Sequence, residues 1–260
     1  MGKVIAVANQ KGGVGKTTTS VNLSAALVAM GYRVLLVDLD AQGNATMGCG
    51  VDKHRLEQSA YEVLAGKAFI GDVIVNVDAG GLDLLPGNSD LTALQVELME
   101  RIGRERVLAE ALEKLRDEYH FVLIDCPPAL NVLTLNALVC ADSVLIPMQC
   151  EYYALEGLSD LMNTLRNVKE MVNPDLHIEG LLRTMHDGRS RLTAEVSAQL
   201  QEHFGDLVLE TIVPRNVRLA EAPSHGQSIV EYDRSSRGGQ AYLALAEEIV
   251  RRNRQHSDIE

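Results

Sequence analysis

The run Val4-Ile5-Ala6-Val7-Ala8-Asn9-Gln10-Lys11-Gly12-Gly13-Val14-Gly15-Lys16-Thr17-Thr18 decides how the rest of the chain is read. Five apolar residues lead into a glycine-rich turn, and a helical pattern opens at Lys16. Glycines in such a turn let successive backbone N–H groups point inward as an anion nest, and the helix N-terminus behind adds its positive end. Lys16 is then placed to reach the β- and γ-phosphates of a nucleotide, and the Thr17 hydroxyl to ligand Mg²⁺. A glycine turn with a chance lysine explains less, because strand, loop, Gly-Lys-Thr and helix occur together and in order. Lys11, Gly12, Gly13, Val14, Gly15, Lys16, Thr17 and Thr18 therefore form the expected phosphate-binding loop.

Outward from the loop, short apolar runs alternate with longer helical patterns. Strands are expected at Val4–Ala8, Arg33–Val37, Leu82–Leu85, Phe121–Ile124, Ser143–Met148, Ile178–Thr184 and Leu207–Val213. Runs such as Val34-Leu35-Leu36-Val37 and Val122-Leu123-Ile124 are apolar on both faces, as a parallel strand covered by helices on both sides requires. Helices are expected at Lys16–Met30, Leu91–Met99, Glu105–Glu118, Asn131–Cys140, Leu155–Val172, Thr193–His203 and Gly239–Arg254, with Gly31 placed to cap the first. This alternation predicts an α/β fold, a doubly wound and mostly parallel sheet flanked by helices. Asp52–Gly81 is less regular and is expected to decorate the sheet edge. No linker or repeat interrupts the pattern, so residues 1–260 read as a single P-loop ATPase-type domain.

Composition narrows the class. The 260 residues are 46% hydrophobic and 23% charged, ordinary for a soluble protein. Aromatics are only 4% and Trp is absent, so the core must be aliphatic. A net charge of −12 argues against coating nucleic acid by bulk charge, although a local basic patch stays open. Cys49, Cys126, Cys140 and Cys150 form no C-x-x-C pair and have no His/Cys cluster beside them, which fits reduced, buried thiols rather than a metal site. No secretory h-region and no stretch near 18 apolar residues is found, so a cytoplasmic protein is expected.

The loop departs from the general G-x-x-x-x-G-K-[ST] pattern. Gln10 stands at the first glycine, and Lys11 opens the loop with a second cation. A loop wrapping one nucleotide leaves little room for two lysines of one chain, and a physical solution is for Lys11 to cross to a partner's nucleotide. In this, Lys11–Thr17 resembles the deviant Walker A motif of the ParA/MinD ATPases. Val34–Asn44 (VLLVDLDAQGN), Phe121–Pro128 (FVLIDCPP), Ile146–Leu158 (IPMQCEYYALEGL) and Val213–Gly226 (VPRNVRLAEAPSHG) are similar to its chromosomal ParA (Soj) branch. The likeness runs from Met1 to about Leu245. Two departures stand out: Ala41 replaces the Pro of many relatives, and Asp52–Gly81 matches only loosely.

The carboxylates Asp38 and Asp40 close the second strand, at the ligand-binding edge of such a sheet. The resemblance implies that Asp40 orients the attacking water and Asp38 supports the magnesium region. Asp125, at the end of a Walker B-like strand, is expected to hold a Mg²⁺-bound water or the Thr17 hydroxyl. Pro214 and Asn216 match adenine-contacting positions, and Arg189 and Arg218 match DNA-contacting ones, with Arg191 and Arg215 as neighbours. Mg²⁺-dependent ATP hydrolysis is therefore expected, with Lys11, Lys16 and Asp40 catalytic. An ATP-bound homodimer that binds double-stranded DNA without sequence preference, a ParB-like partner and nucleoid association in the cytoplasm are also implied. A MinD-like membrane role would need a basic amphipathic C-terminal helix, whereas Gln240–Val250 reads as a packing helix and Arg251–Glu260 as a poor anchor. An iron–sulfur relative would need cysteines that Cys126 and Cys150 do not supply.

Overall fold

Alternate residues of each central strand enter opposite cores. Val4 and Ala6 pack with Leu35, Val37, Val122 and Ile124 on one face, while Ile5 and Val7 pack with Leu36 and Leu123 on the other. This is why the strand sequences are apolar throughout. The computed structural model describes residues 2–78, 81–152 and 154–257, without the side chains of Asp78, His256 and Ser257.

The strands are β1 (Lys3–Val7), β2 (Val34–Asp38), β3 (Val75–Asp78), β4 (Leu82–Leu85), β5 (Phe121–Asp125), β6 (Ser143–Gln149), β7 (His177–His186) and β8 (Val208–Pro214). They form one sheet in the order β3-β4-β2-β5-β1-β6-β7-β8. All neighbours are parallel except β3 and β4. The helices are α1 (Lys16–Ala29), α2 (Asn44–Gly48), α3 (Ala60–Leu64), α4 (Ile70–Val73), α5 (Leu91–Met99), α6 (Val107–Leu112), α7 (Val132–Cys140), α8 (Ala154–Met171), α9 (Arg191–Phe204), α10 (Val217–Glu221), α11 (Ile229–Asp233) and α12 (Arg237–Ser257). Helices α5 to α8 cover the first face, through residues such as Leu94, Leu108, Leu133 and Leu158. On the second face α1 and α12 contribute Leu23, Leu27, Tyr242, Leu245 and Ile249. Truncating one such buried leucine to alanine costs about 2–5 kcal/mol.

The register positions the site. Val7 sits opposite Asp125, and Asp125 opposite Asp38, so two carboxylates and the start of the glycine loop emerge at one level of the C-terminal edge. Helix α1 ends as expected: Gly31 adopts φ +89°, its N–H reaches the Val28 carbonyl at 2.8 Å, and Tyr32 N–H reaches Leu27 at 3.2 Å. That is the double bond of a glycine-capped helix end.

Two expectations need correction. The helix expected at Glu105–Glu118 spans only Val107–Leu112, followed by a tighter 3₁₀ turn at Arg116–Glu118. Long-range contacts override the local pattern there. Arg116 Nε donates to the Gly2 carbonyl at 2.7 Å and its guanidinium pairs with Asp142, while Tyr119 is buried with its hydroxyl on Asp83 at 2.9 Å. The irregular segment from Asp52 to Gly81 holds α3, α4 and β3, and β3 is the antiparallel edge strand. Each is too short for a periodic signal. Ala79 and Gly80 of that segment, Tyr153, and Asp258–Glu260 of the expected non-anchoring tail lie outside the described residues. No described helix is long and apolar enough to cross a membrane. Helix α12 buries Tyr242, Leu245, Ala246, Ile249 and Val250 against the sheet, as a packing helix does.

Candidate functional site

The loop from Lys11 to Gly15 bridges β1 and α1. Gly13 and Gly15 take positive φ angles of 72° and 88°, a region that penalises residues with a Cβ. Gly15 is the residue before the helix, with no side chain capping the first turn, so the N–H groups at this helix start are open to an anion. Lys16 is buried, and its ammonium donates to the Lys11 carbonyl at 3.1 Å. Burial pulls its pKa down, while the charges of Asp125 and Asp40 oppose that shift. A buried ammonium beside open N–H groups favours negative charge at this point.

Below it lie the carboxylates. Asp125 accepts from the Thr17 hydroxyl at 2.8 Å and from the Ser20 hydroxyl at 2.8 Å. Asp38 accepts from Thr46 N–H at 2.8 Å, from the Thr46 hydroxyl at 2.7 Å and from Asp40 N–H at 3.1 Å. Both carboxyls are fully buried, and burial together with neighbouring negative charge raises both above the usual carboxylate range, Asp38 to about 6. A cation would supply the counter-charge. Among the described residues no group of three His, Cys, Asp or Glu side chains converges. One hydroxyl and one or two carboxylates, completed by water and phosphate oxygens, nevertheless fit Mg²⁺. Asp40 is nearly buried, and its Oδ1 accepts from Gln42 N–H at 3.0 Å, which fixes the loop that carries it.

Lys11 points elsewhere. Its Nζ pairs with Glu151 Oε2 at 2.7 Å, just past β6, and both side chains are about half exposed. The two lysines of the loop are thus separated, Lys16 inward and Lys11 outward.

Next to the loop is a cavity of about 190 Å³ lined by Gly15, Thr18, Thr184, Met185, Pro214 and Asn216. Asn216 caps α10, its side-chain oxygen accepting from Leu219 N–H at 3.2 Å. A larger cavity, about 560 Å³, lies at the opposite edge among His177, Val208 and Arg251. It touches none of the loop residues, and the convergent polar groups lie at the loop instead.

The structure brings together Lys11 to Thr18, Asp38, Asp40, Asp125, Pro214 and Asn216 on one edge. Arg189 and Arg218 follow β7 and β8 on that same edge, but in separate surroundings. Arg189 pairs with Asp187 at 3.1 Å, and Arg218 with Glu221 at 2.8 Å and Asp233 at 3.6 Å. Arg191 pairs with Glu195 at 2.8 Å. Sequence reading missed Ser20, Thr46, Gly87, Gln149, Glu151 and Thr184; Ser20, Gln149, Glu151 and Thr184 reach the site across more than 100 positions, and Gly87 reaches the Thr46 hydroxyl across 41. Among them Gln149 and Glu151 fall inside the family-like run from Ile146 to Leu158, which was the available signal. The four cysteines are free thiols held protonated by burial, Cys49 pushed up to about 12.

A family model described as an AAA domain matches residues 2–178. The chain is 53% identical to the sporulation initiation inhibitor protein Soj of Bacillus subtilis, over 96% of this chain and 99% of that one. It is 48% identical to the chromosome partitioning protein ParA of Caulobacter vibrioides, over 97% and 95%. Among solved structures, one described as cobyrinic acid a,c-diamide synthase from Mycobacterium smegmatis with bound ADP and magnesium superposes with a TM-score of 0.84 at 40% identity, covering 96% of this chain and 95% of that one. The chain belongs to the ParA/MinD family of P-loop ATPases, in its Soj branch.

Proposed function

We propose that this family member is a partition ATPase in which ATP closes two copies into a sandwich dimer and hydrolysis of the β–γ bond releases them. The observation that supports this reading most is the separation of the two loop lysines. Lys16 fills the nucleotide side of its own loop, whereas Lys11 stands at the rim in a solvent-exposed ion pair that a partner's phosphate can outcompete.

Within one protomer the loop N–H groups and Lys16 bind the β- and γ-phosphates, and the cavity beside Pro214 and Asn216 takes the adenine. Thr17 and Asp125 would hold Mg²⁺, with Asp38 behind them. Bound there, Mg²⁺ neutralises charge on the phosphate oxygens. Asp40 accepts a hydrogen bond from water and aims it at the γ-phosphorus. Lys11 of each protomer adds positive charge to the phosphates held by the other, and excludes water as the faces close. Phosphoryl transfer of this type needs positioning and charge stabilisation rather than a covalent residue.

Dimerisation brings two copies of the edge that carries Arg189 and Arg218 into one assembly, which concentrates positive charge that a single acidic chain lacks. The dimer binds double-stranded DNA without sequence preference, and a ParB-like partner stimulates hydrolysis. The relatives named Soj and ParA support that assignment over the amide synthesis for which the Mycobacterium protein is named, since one fold hosts many reactions.

Two measurements test it. Asp40→Ala protein with ATP and Mg²⁺ is expected to elute as a dimer and the ADP form as a monomer; a monomer in both states refutes the sandwich. DNA retardation at low salt is expected with ATP, not with ADP or without nucleotide, and to fall steeply as salt rises. Equal binding in all three states refutes the switch.

A further inference from the structure

Two carbonyls of the phosphate loop are gripped from outside by side chains of the neighbouring strands. Gln149 Nε2, at the end of β6, donates to the Gly13 carbonyl at 2.8 Å. Thr184 Oγ1, near the end of β7, is 2.7 Å from the Val14 carbonyl and 3.1 Å from that of Met148. Thr184 is 2% exposed.

The peptide plane gives these contacts a consequence. In a trans peptide the C=O and the following N–H point in opposite directions. Holding the Gly13 carbonyl outward therefore turns the Val14 N–H inward, and holding the Val14 carbonyl does the same for Gly15. A nest attracts an anion only with its N–H groups inward, and a flipped peptide would present a repelling oxygen. Glycines at 12, 13 and 15 leave the loop free to make such flips. The third grip, Lys16 Nζ on the Lys11 carbonyl, is lost if the ammonium turns to phosphate, whereas Gln149 and Thr184 carry no charge to redirect.

The end of β7 is built to aim Thr184. Arg183 pairs with Ile212 and His186 with Pro214, so Thr184 and Met185 together face the single residue Val213. That extra residue is a bulge, and Met185 within it has φ +47°, a left-handed conformation that a non-glycine residue rarely adopts. The Met185 sulfur lies against Gln149 Nε2, which joins the two grips.

We propose that Thr184 and Gln149 are positioning residues that hold the Val14 and Gly15 N–H groups toward the anion and so set affinity for the polyphosphate of the nucleotide. The proposal rests on the nucleotide-binding reading above. Loss of a grip lowers the fraction of loops ready to bind, and the apparent Kd rises in proportion.

The test is calorimetric titration of the full-length protein with Mg-ADP and Mg-ATP, together with steady-state kinetics. Thr184→Val keeps the shape and removes the hydroxyl; it is expected to weaken both ligands by about tenfold, one hydrogen bond's worth. It should also raise KM while kcat changes less than about threefold. Thr184→Ser restores the hydroxyl and is expected to bind within about twofold of the parent. Gln149→Leu, at a half-buried position, is expected to show the same pattern at about threefold, and serves if Thr184→Val does not fold. The ATP-to-GTP preference should be unchanged in Gln149→Leu, because Gln149 lies outside the cavity beside Pro214 and Asn216. Parent-like binding by Thr184→Val or Gln149→Leu, failure of Thr184→Ser to recover, or an altered base preference in Gln149→Leu overturns the proposal. If the parent protein itself binds neither ADP nor ATP, the nucleotide reading falls instead.

Discussion

Replacing Lys11 by alanine separates folding from assembly, because its contact within the chain and its proposed contact across the dimer differ in strength. In the single chain the Lys11 ammonium meets Glu151 at 2.7 Å, with the side chains 43% and 50% exposed. Pairs this exposed contribute about 0.2–1 kcal/mol, because water screens the attraction and two long side chains must be ordered. Lys11→Ala should therefore unfold in urea within about 1 kcal/mol of the parent. In the proposed ATP dimer the same ammonium would face a phosphate at a drying interface, a charge-assisted hydrogen bond of about 1.5–3 kcal/mol. Two-fold symmetry of that dimer would make the contact twice. The dimer should lose about 3–6 kcal/mol, or a factor of about 10²–10⁴ in its association constant. Light scattering during size exclusion, in the Asp40→Ala background with Mg-ATP, reads that factor directly. Dimerisation within tenfold of the parent background would refute the crossing of Lys11 between subunits. A loss of more than about 2 kcal/mol in the urea experiment would show instead that Lys11 is a folding residue.

Three further outcomes rest on named contacts. Thr46→Val removes a hydroxyl that donates to Asp38 at 2.7 Å and accepts from Gly87 N–H at 2.9 Å. With both partners buried it should cost about 3–5 kcal/mol in urea denaturation, and a loss below about 1 kcal/mol would contradict the role given to Thr46. A Cβ at Gly87 would lie 2.5 Å from the Asp38 carbonyl oxygen and 3.1 Å from its carboxyl carbon. Gly87→Ala should therefore cost about 1–3 kcal/mol and weaken Mg-ATP binding by displacing Asp38, measurable by thermal melting and calorimetry. Glu248 is buried on α12, which by itself raises its pKa. Hydrogen bonds from Thr211 and Glu210 N–H and the charge of Arg252 outweigh that and hold the carboxyl below its ordinary value. A lowered folded pKa adds stability above the unfolded value of 4.5 that fades as pH falls through the folded one. Glu248→Gln should be about 1–3 kcal/mol less stable than the parent at pH 7, the gap closing below pH 4.5 in urea melts taken across that range.

The loop, the strand–helix alternation and the carboxylates at strand ends were legible in the amino-acid order. These are local facts: glycines where φ must be positive, a lysine and threonine opening a helix, apolar runs four or five residues long, two of them closed by Asp38 and Asp125. They were enough for the parallel sheet and for placing Lys16, Thr17, Asp38 and Asp125 at one edge. The loop's irregularity, Gln10 and Lys11, was legible too.

What holds these residues in place comes from the folding of distant segments together. Thr184 grips a carbonyl 170 positions away, Gln149 one 136 away, and the Thr17 hydroxyl finds Asp125 across 108. Spacing along the chain carries no trace of such pairs, because strand order and register create them. Register makes Asp38 and Asp125 neighbours, and burial then raises both carboxyls and calls for a cation. The helix expected to reach Glu118 stopped at Leu112 for the same kind of reason: Arg116 is drawn to Gly2 and Asp142, and distant contacts outweigh helix propensity. The amino-acid order wrote the chemistry of the site, and packing fixed the direction in which each group points.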